Sequence, residues 1–421
     1  MPPPLPTHAR QWTGDPSFLV FLVTVPLCLL RSTDLPSLEV GSIDVTIADV
    51  GLTLTAALAL LRLRARPFSS PWLLVVACVF GALVLGSAIP NGGDAVSAAG
   101  KLVEFGALTL GALAFLETRE RLQSLLVLVV TFTVAAAAWG LVAFLLGERE
   151  RQASFMGEHD LAALATLAMA VGLARVHSRR GNPGLLAIAG LTAGVVGTVL
   201  GASLASVIGV YLAAVVVTAI AARRRELRIG AILVTLAVAA ASTAGTLALR
   251  SGDLGFIQAW FGPPPERPGE YAASWSQRLI YTYVGGRVFL DQPVVGTGWH
   301  GLLPPEEFVA YLPDARDRFP DQPAHYFPPA DEEFIPQQTY DQVLFELGVV
   351  GAAVFLVLCG VAAWRAAVAT RRRRADWAYV PAAWLAALAG ALAGAALFGG
   401  SPLSAMFWLT LGVVAAGARD A

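Results

Sequence analysis

Lysine is almost missing from this chain: Lys101 stands alone among the 29 basic residues, and charged residues make up only 14% of the sequence. With a net charge of −1 there is no basic field of the kind that holds DNA or RNA, so no nucleic-acid partner is expected. Cysteine is equally scarce. Cys28, Cys78 and Cys359 all sit inside apolar runs and read as small core residues, which leaves neither a disulfide framework nor a metal site. Residues 1–14 are polar and Pro-rich and lack a basic flank feeding a cleavable apolar stretch. The first apolar run therefore reads as a retained helix and not as a signal peptide.

What is abundant is apolar: 56% of the residues are hydrophobic and the mean hydropathy is +0.65. One soluble core of this length cannot hide so much apolar surface, so the solvent must be largely lipid. Since a helix needs roughly 20 apolar residues to cross the hydrocarbon core, the runs predict an all-α membrane protein with about twelve transmembrane helices. They fall near 15–31, 44–62, 71–89, 98–116, 122–146, 159–176, 183–200, 203–221, 229–249, 341–364, 377–398 and 402–418. Arginines set the orientation. Arg62/Arg64/Arg66, Arg119/Arg121, Arg175/Arg179/Arg180, Arg223/Arg224/Arg225/Arg228 and Arg371 to Arg374 all fall on one side under that count. The opposite loops carry Asp34 and Glu39, Asp94, the mixed Glu148-Arg149-Glu150-Arg151, and residues 250–340. The expected organisation is a cytoplasmic tail at 1–14, nine spans over 15–249, an extracytoplasmic loop at 250–340, and three spans with a short cytoplasmic end over 341–421. Both termini are then cytoplasmic.

The outer loop has roughly 90 residues, and loops that long are usually functional or disordered. It carries Phe256, Trp260, Tyr271, Trp275, Tyr281, Tyr283, Trp299, Tyr311, Tyr326 and Phe334, with many prolines and an acidic excess. Such rings suit a carbohydrate surface, and equally a loop lying on lipid headgroups. No internal repeat or paired Gly/Pro-broken spans mark the chain as a secondary transporter.

Several places can carry chemistry. From Trp275 to Leu290 the apolar spacing (Leu279, Ile280, Tyr283, Val284, Val288) predicts an amphipathic interfacial helix. Arg278 and Arg287 fall on opposite faces of it unless Gly285-Gly286 breaks the helix. The planar fork of an arginine matches a diphosphate; the plainer reading is a headgroup anchor, which suits Arg287 better. Gly296-Thr-Gly298 permits close backbone approach to a ligand or to another helix, and His300 beyond it reads as a packed loop histidine or a base. Gln337 and Asp341 are one helical turn apart at the entrance of the tenth span, with Gln338 and Tyr340 beside them. Polar groups there should face a wet cavity, or else satisfy a helix N-terminus. Gly348 and Gly351 allow close packing. Inside the fourth span Lys101 and Glu104 read as a structural ion pair or a functional one. Arg149, Arg151, His159 and Asp160 line a cavity or cap the sixth helix.

Three stretches together resemble the O-antigen ligase and polymerase superfamily, membrane glycosyltransferases that use polyprenyl-diphosphate-linked glycans. Arg278 with Pro293-Val-Val-Gly296-Thr-Gly298 is similar to its loop helix and turn, and Gly157-Glu-His159-Asp160-Leu161-Ala162 to its outer turn. Gln337, Gln338, Glu346-Leu347-Gly348 and Gly351 align with its signature. Two positions depart. The signature histidine is Gln337, which cannot serve as a general base. An arginine expected after a mid-chain serine is missing at Ser203-Leu204. The resemblance implies a sugar transfer at the outer face of the inner membrane, without metal or cofactor. An acceptor hydroxyl, from a glycan or glycolipid, attacks the anomeric carbon of the lipid-linked donor with inversion, and cations stabilise the departing diphosphate. It implies Asp341, then His325 or His300, as base. Arg278, Arg287, Gln337, Gln338, Tyr340, Arg151, His159 and Lys101 are the expected substrate ligands. The rival expectation is a non-catalytic or transport relative on the same scaffold.

Overall fold

The computed structural model describes residues 15–30, 36–40, 43–64, 71–147, 151–178, 184–250, 273–372 and 375–418. The N-terminal tail, Arg66, Arg149, Arg179, Arg180 and the first part of segment 250–340, with Phe256, Trp260 and Tyr271, lie outside the described residues. Helix dominates. Eight helices among the described residues are long and apolar enough to cross a membrane, which makes the chain a multi-pass membrane protein. Four shorter ones, Pro16–Cys28, Ile47–Leu63, Ala375–Ala391 and Pro402–Gly417, stand where the remaining spans are expected. Among the described residues, paired strands are confined to an antiparallel hairpin, Ser37–Val40 with Ile43–Thr46, apart from a single bridge between Leu303 and Phe334. The fourth expected span is divided, as Gly93–Glu104 and Gly106–Phe115 meet at Phe105.

Two helices form the centre. Glu158–His177 and Pro402–Gly417 are buried on nearly every face, and both are rich in alanine and glycine. Small residues are what let helices approach in lipid, where backbone and van der Waals contact replace hydrophobic expulsion. A methyl group at Gly390 would lie 2.2 Å from the Gly209 nitrogen, so helix Leu204–Arg223 and helix Ala375–Ala391 touch backbone to backbone. The outer helices expose Leu19, Trp139, Leu145, Val215, Leu236 and Leu356, an apolar surface suited to lipid.

The described part of segment 250–340 is a folded cap with its own core. Helix Ala273–Asp291 runs unbroken through Gly285-Gly286. Its Ile280, Tyr281, Val284 and Val288 pack with Leu303, Phe308, Tyr326 and Phe334. Most of the rings described there are thus spent on the cap's interior. Tyr281 meets Phe334 edge to face at 4.8 Å, and Trp299 is wholly buried against the bundle. The expected aromatic carbohydrate or headgroup surface is corrected to that extent, as is the interfacial helix, whose apolar face covers the cap core.

Candidate functional site

The cap docks at a break in the longest of the described helices, Thr339–Ala369. Gly348 interrupts it with φ +60° and ψ −163°, which frees backbone groups for the Pro293–Gly298 turn. Val349 and Val350 donate to the carbonyls of Pro293 and Val294 at 2.8 and 3.1 Å, and Gly298 donates to Glu346 O at 2.8 Å. A Cβ at Gly348 would sit 2.5 Å from the Val294 carbonyl carbon. The glycines of both motifs therefore serve one backbone-to-backbone joint. Beneath it the Glu346 carboxylate, wholly buried, accepts the N–H groups of His300 (3.0 Å) and Gly301 (3.1 Å). Asn91 holds the same turn through the Thr297 carbonyl at 3.2 Å.

Between cap and bundle lies a cavity of about 350 Å³, bordered by Arg250, Arg278, Ser203, Thr282, Gln337 and Gln338, with an apolar side of Leu204, Ala205, Ile208 and Leu279. Arg278 reaches it from the cap helix and bonds the Gly394 carbonyl at 3.4 Å. Arg250 follows helix Ile229–Leu249 and bonds Ala202 O at 3.0 Å. Arg151 bonds the preceding carbonyl, Gly201 O, at 2.9 Å and pairs with Glu158 at 2.9 Å. Two arginines are thus anchored on the turn that ends at Ser203. Ser203 in turn caps helix Leu204–Arg223, whose N-terminal end faces the cavity. A helix N-terminus flanked by guanidinium groups is a ready anion site. His159 lies within electrostatic reach of Arg151, Arg250 and Arg278.

Asp341 stands one bond behind the cavity wall. Its Oδ2 accepts from Thr282 Oγ1 at 2.7 Å and from Gln338 Nε2 at 2.6 Å. Gln337 precedes the helix instead of sharing its first turn with Asp341, because the helix starts at Thr339 and Gln338 is its N-cap.

Other expected site residues lie elsewhere. Arg287 points away from the cavity and pairs with Asp314 at 2.6 Å, which Tyr283 also bonds at 2.8 Å. It fastens the cap to its short helix Leu312–Arg318. His325 is exposed on the cap, edge-on to Tyr326 at 4.6 Å. His300 is half-buried beside the joint, with its Nε2 free of hydrogen bonds among the described residues. Tyr340 turns to an apolar groove and bonds Ala389 O at 2.8 Å. Lys101 pairs with Asp49, across to helix Ile47–Leu63, and also acts electrostatically on Glu104. Asp160 accepts the Leu403 N–H at 3.0 Å and so steadies the start of Pro402–Gly417.

Arg250 and Thr282 escaped the sequence reading. Arg250 carried a usable signal: it ends an apolar span on the side where the arginine clusters are not. Thr282 is one turn beyond Arg278 on the same helix.

Comparison with curated proteins gives no match. A family model described as O-antigen ligase matches residues 187–356. That segment contains the joint, the cavity's Ser203, Arg250, Arg278 and Thr282, and the Gln337 to Asp341 entrance. Over those residues the chain matches an O-antigen ligase domain, and this match supports the assignment to the O-antigen ligase and polymerase superfamily.

Proposed function

We infer that this protein is a glycosyltransferase of the O-antigen polymerase or ligase type, moving a polyprenyl-diphosphate-linked glycan onto an acceptor hydroxyl at the outer face of the inner membrane. The cavity that joins Arg250 and Arg278 to a helix N-terminus, with an apolar flank beside them, carries this reading. An amphiphilic anion needs both halves of that surface. Arg250 supports it in a second way. It delivers a cation beside Ser203-Leu204, where the resemblance lacks one, from the end of the neighbouring transmembrane helix.

The acceptor oxygen bonds to the anomeric carbon while the bond from that carbon to the diphosphate oxygen breaks. Charge gathers on the leaving diphosphate, and preset guanidinium groups favour that state over the ground state. Gln337 and Gln338 supply amides to sugar or phosphate oxygens, and Asp341 receives the acceptor proton. Its tie to Thr282 and Gln338 keeps the carboxylate oriented towards the cap helix. Because diphosphate is a good leaving group, a weak base suffices, and the histidine replaced by Gln337 is dispensable. Polymerase is favoured over ligase, since the strict ligase signature is broken at that residue. The same break is what supports the second reading, a non-catalytic or transport relative that binds the same lipid.

Analysis of lipid-linked glycans in a deletion strain separates these. Single lipid-linked units accumulate if the protein is a polymerase, and full-length lipid-linked polymer if it is a ligase. Arg278→Ala and Arg250→Ala each lower transfer by about 100-fold, the scale of losing one preset charge donor, and Asp341→Asn lowers it with little change in KM. An unchanged glycan pool on deletion counts against transfer altogether.

A further inference from the structure

At the end of the bundle away from the cap, an apolar groove runs out under a group of arginines. The groove, about 590 Å³, lies between helices Leu204–Arg223 and Thr339–Ala369, with Ala375–Ala391 and Pro402–Gly417 behind it. Two rows of side chains border it. On the first helix they are Leu212, Val216 and Ile220; on the second, Phe355, Cys359, Ala363 and Ala367. Steps of four residues keep a row on one side of a helix. One step further each row ends in a cation, Arg224 on the first and Arg371 on the second.

Backbone carbonyls fix this cationic end in place. Arg224 Nη1 donates to Thr370 O at 3.2 Å and to Arg372 O at 2.7 Å, which ties the ends of the two helices together across the groove. The Arg372 guanidinium lies over the Trp377 ring at 5.5 Å, and Arg223 and Arg371 are exposed beside it. Their acidic neighbour is Glu226, which accepts from Tyr379 at 2.8 Å and pairs with Arg224 at 3.4 Å. The surplus charge is therefore positive. Beyond the arginines no charged side chain lines the groove, and its Tyr340 and Thr370 hydroxyl groups are turned to the carbonyls of Ala389 and Ala367. Leu212, Leu356, Ala363 and Ala367 along the rim are exposed, so the groove opens sideways to lipid.

We propose that the arginine end of this groove binds an anionic phospholipid, its headgroup phosphate among Arg223, Arg224 and Arg371 and one acyl chain between the two rows. Charge selects this occupant. Basic pockets between transmembrane helices suit acidic headgroups, whereas a zwitterionic lipid brings its own cation to a place that already has a surplus of them. The same two helices carry Ser203 and Gln338 at their opposite ends. The lipid thus braces the walls of the cationic cavity without entering it.

The full chain, purified in detergent, is titrated with phosphatidylglycerol and with phosphatidylcholine, and bound lipid is counted by native mass spectrometry. One phosphatidylglycerol is expected to bind at least about tenfold more tightly than phosphatidylcholine. Arg223→Gln and Arg371→Gln should each weaken phosphatidylglycerol roughly fivefold and leave phosphatidylcholine unchanged, the scale of one basic side chain at a lipid surface. Ala363→Leu, which fills the space between the rows, should weaken phosphatidylglycerol too. In nanodiscs, phosphatidylglycerol with a diazirine in its acyl chain should label residues 216–220 and 359–367. Equal affinity for the two lipids, arginine variants that bind as the wild type does, or adducts elsewhere overturn the proposal. Adducts displaced more readily by undecaprenyl phosphate than by phosphatidylglycerol overturn it as well, and give the groove to a polyprenyl lipid.

Discussion

A carboxylate without solvent contact needs several donors to stay in place. Glu346 collects the N–H groups of His300 and Gly301, and Gln342 offers its amide at 3.4 Å. Gln342 also takes the N–H and gives to the carbonyl of Leu397, both at 2.8 Å. The cap and the segment that carries the carbonyl bonded by Arg278 are thus tied to the same helical turn. Glu346→Ala leaves two buried N–H groups without an acceptor, at a cost of about 3 kcal/mol. Thermal unfolding in detergent should show it as a lower midpoint; an unchanged midpoint denies Glu346 this role. His300 adds a pH term of known sign. Burial holds its imidazole below the ordinary range, against a weaker opposing pull from Glu306. Below about pH 6.5 the unfolded chain takes up a proton that the folded one resists, so stability falls as pH falls through that range. His300→Gln keeps the backbone bond to Glu346 and removes the titration. Relative to this variant, the wild type should lose stability as the pH falls from 7.5 to 5.5. A constant difference across that range would remove His300 from the account.

Helices Ala273–Asp291 and Thr339–Ala369 cross so closely at Gly285 that a Cβ there would lie 2.1 Å from the Phe345 ring. The neighbouring Gly286 has open space around its Cβ position. These adjacent glycines should respond in opposite ways to alanine. Gly286→Ala gains about 0.5–1 kcal/mol from the lower entropy of the unfolded chain. Gly285→Ala forces Phe345 or the helix aside, costs about 1–3 kcal/mol, and lowers transfer by shifting Arg278. Melting and activity of the two variants, measured together, check both signs; matching responses exclude a crossing at Gly285. The sequence showed that the backbone approaches something at Gly296-Thr-Gly298 and at Gly348, but not that the two approach each other. Spacing along a chain carries no information about a partner 50 residues away in sequence. The aromatic residues of the cap failed for another reason. Tyr281, Phe308 and Phe334 follow no period, and composition alone does not tell a ring in a small core from one on a surface. The helices were legible because lipid demands long apolar runs, and the demand leaves little choice of register.

Charge is divided between the two ends of the molecule. At one end Arg62 joins Asp15 at 2.7 Å and Glu117 at 3.0 Å, Arg121 joins Asp15 at 2.6 Å, and Arg224 bonds Arg372 O at 2.7 Å. These arginines bind helix ends together as well as marking a side. At the other end stand the cap and the cavity, where Arg250 and Arg278 are held by backbone carbonyls. Cytoplasmic loops of membrane proteins collect arginine and lysine, so the first end is expected in the cytoplasm and the cap outside. Arg250 and Arg278, with Arg151 on the neighbouring carbonyl, stand at the end expected to be outside, against the general bias and beside a helix N-terminus. Thiol labelling tests the orientation. In spheroplasts a membrane-impermeant maleimide should modify Asp331→Cys on the exposed cap and leave Arg223→Cys untouched until the membrane is opened, with the wild-type cysteines as the background. Labelling of Arg223→Cys alone would put the cap in the cytoplasm. There the cavity between Arg250 and Arg278 would face the cytoplasmic pool of lipid-linked precursors, and outer-face transfer would have to be abandoned.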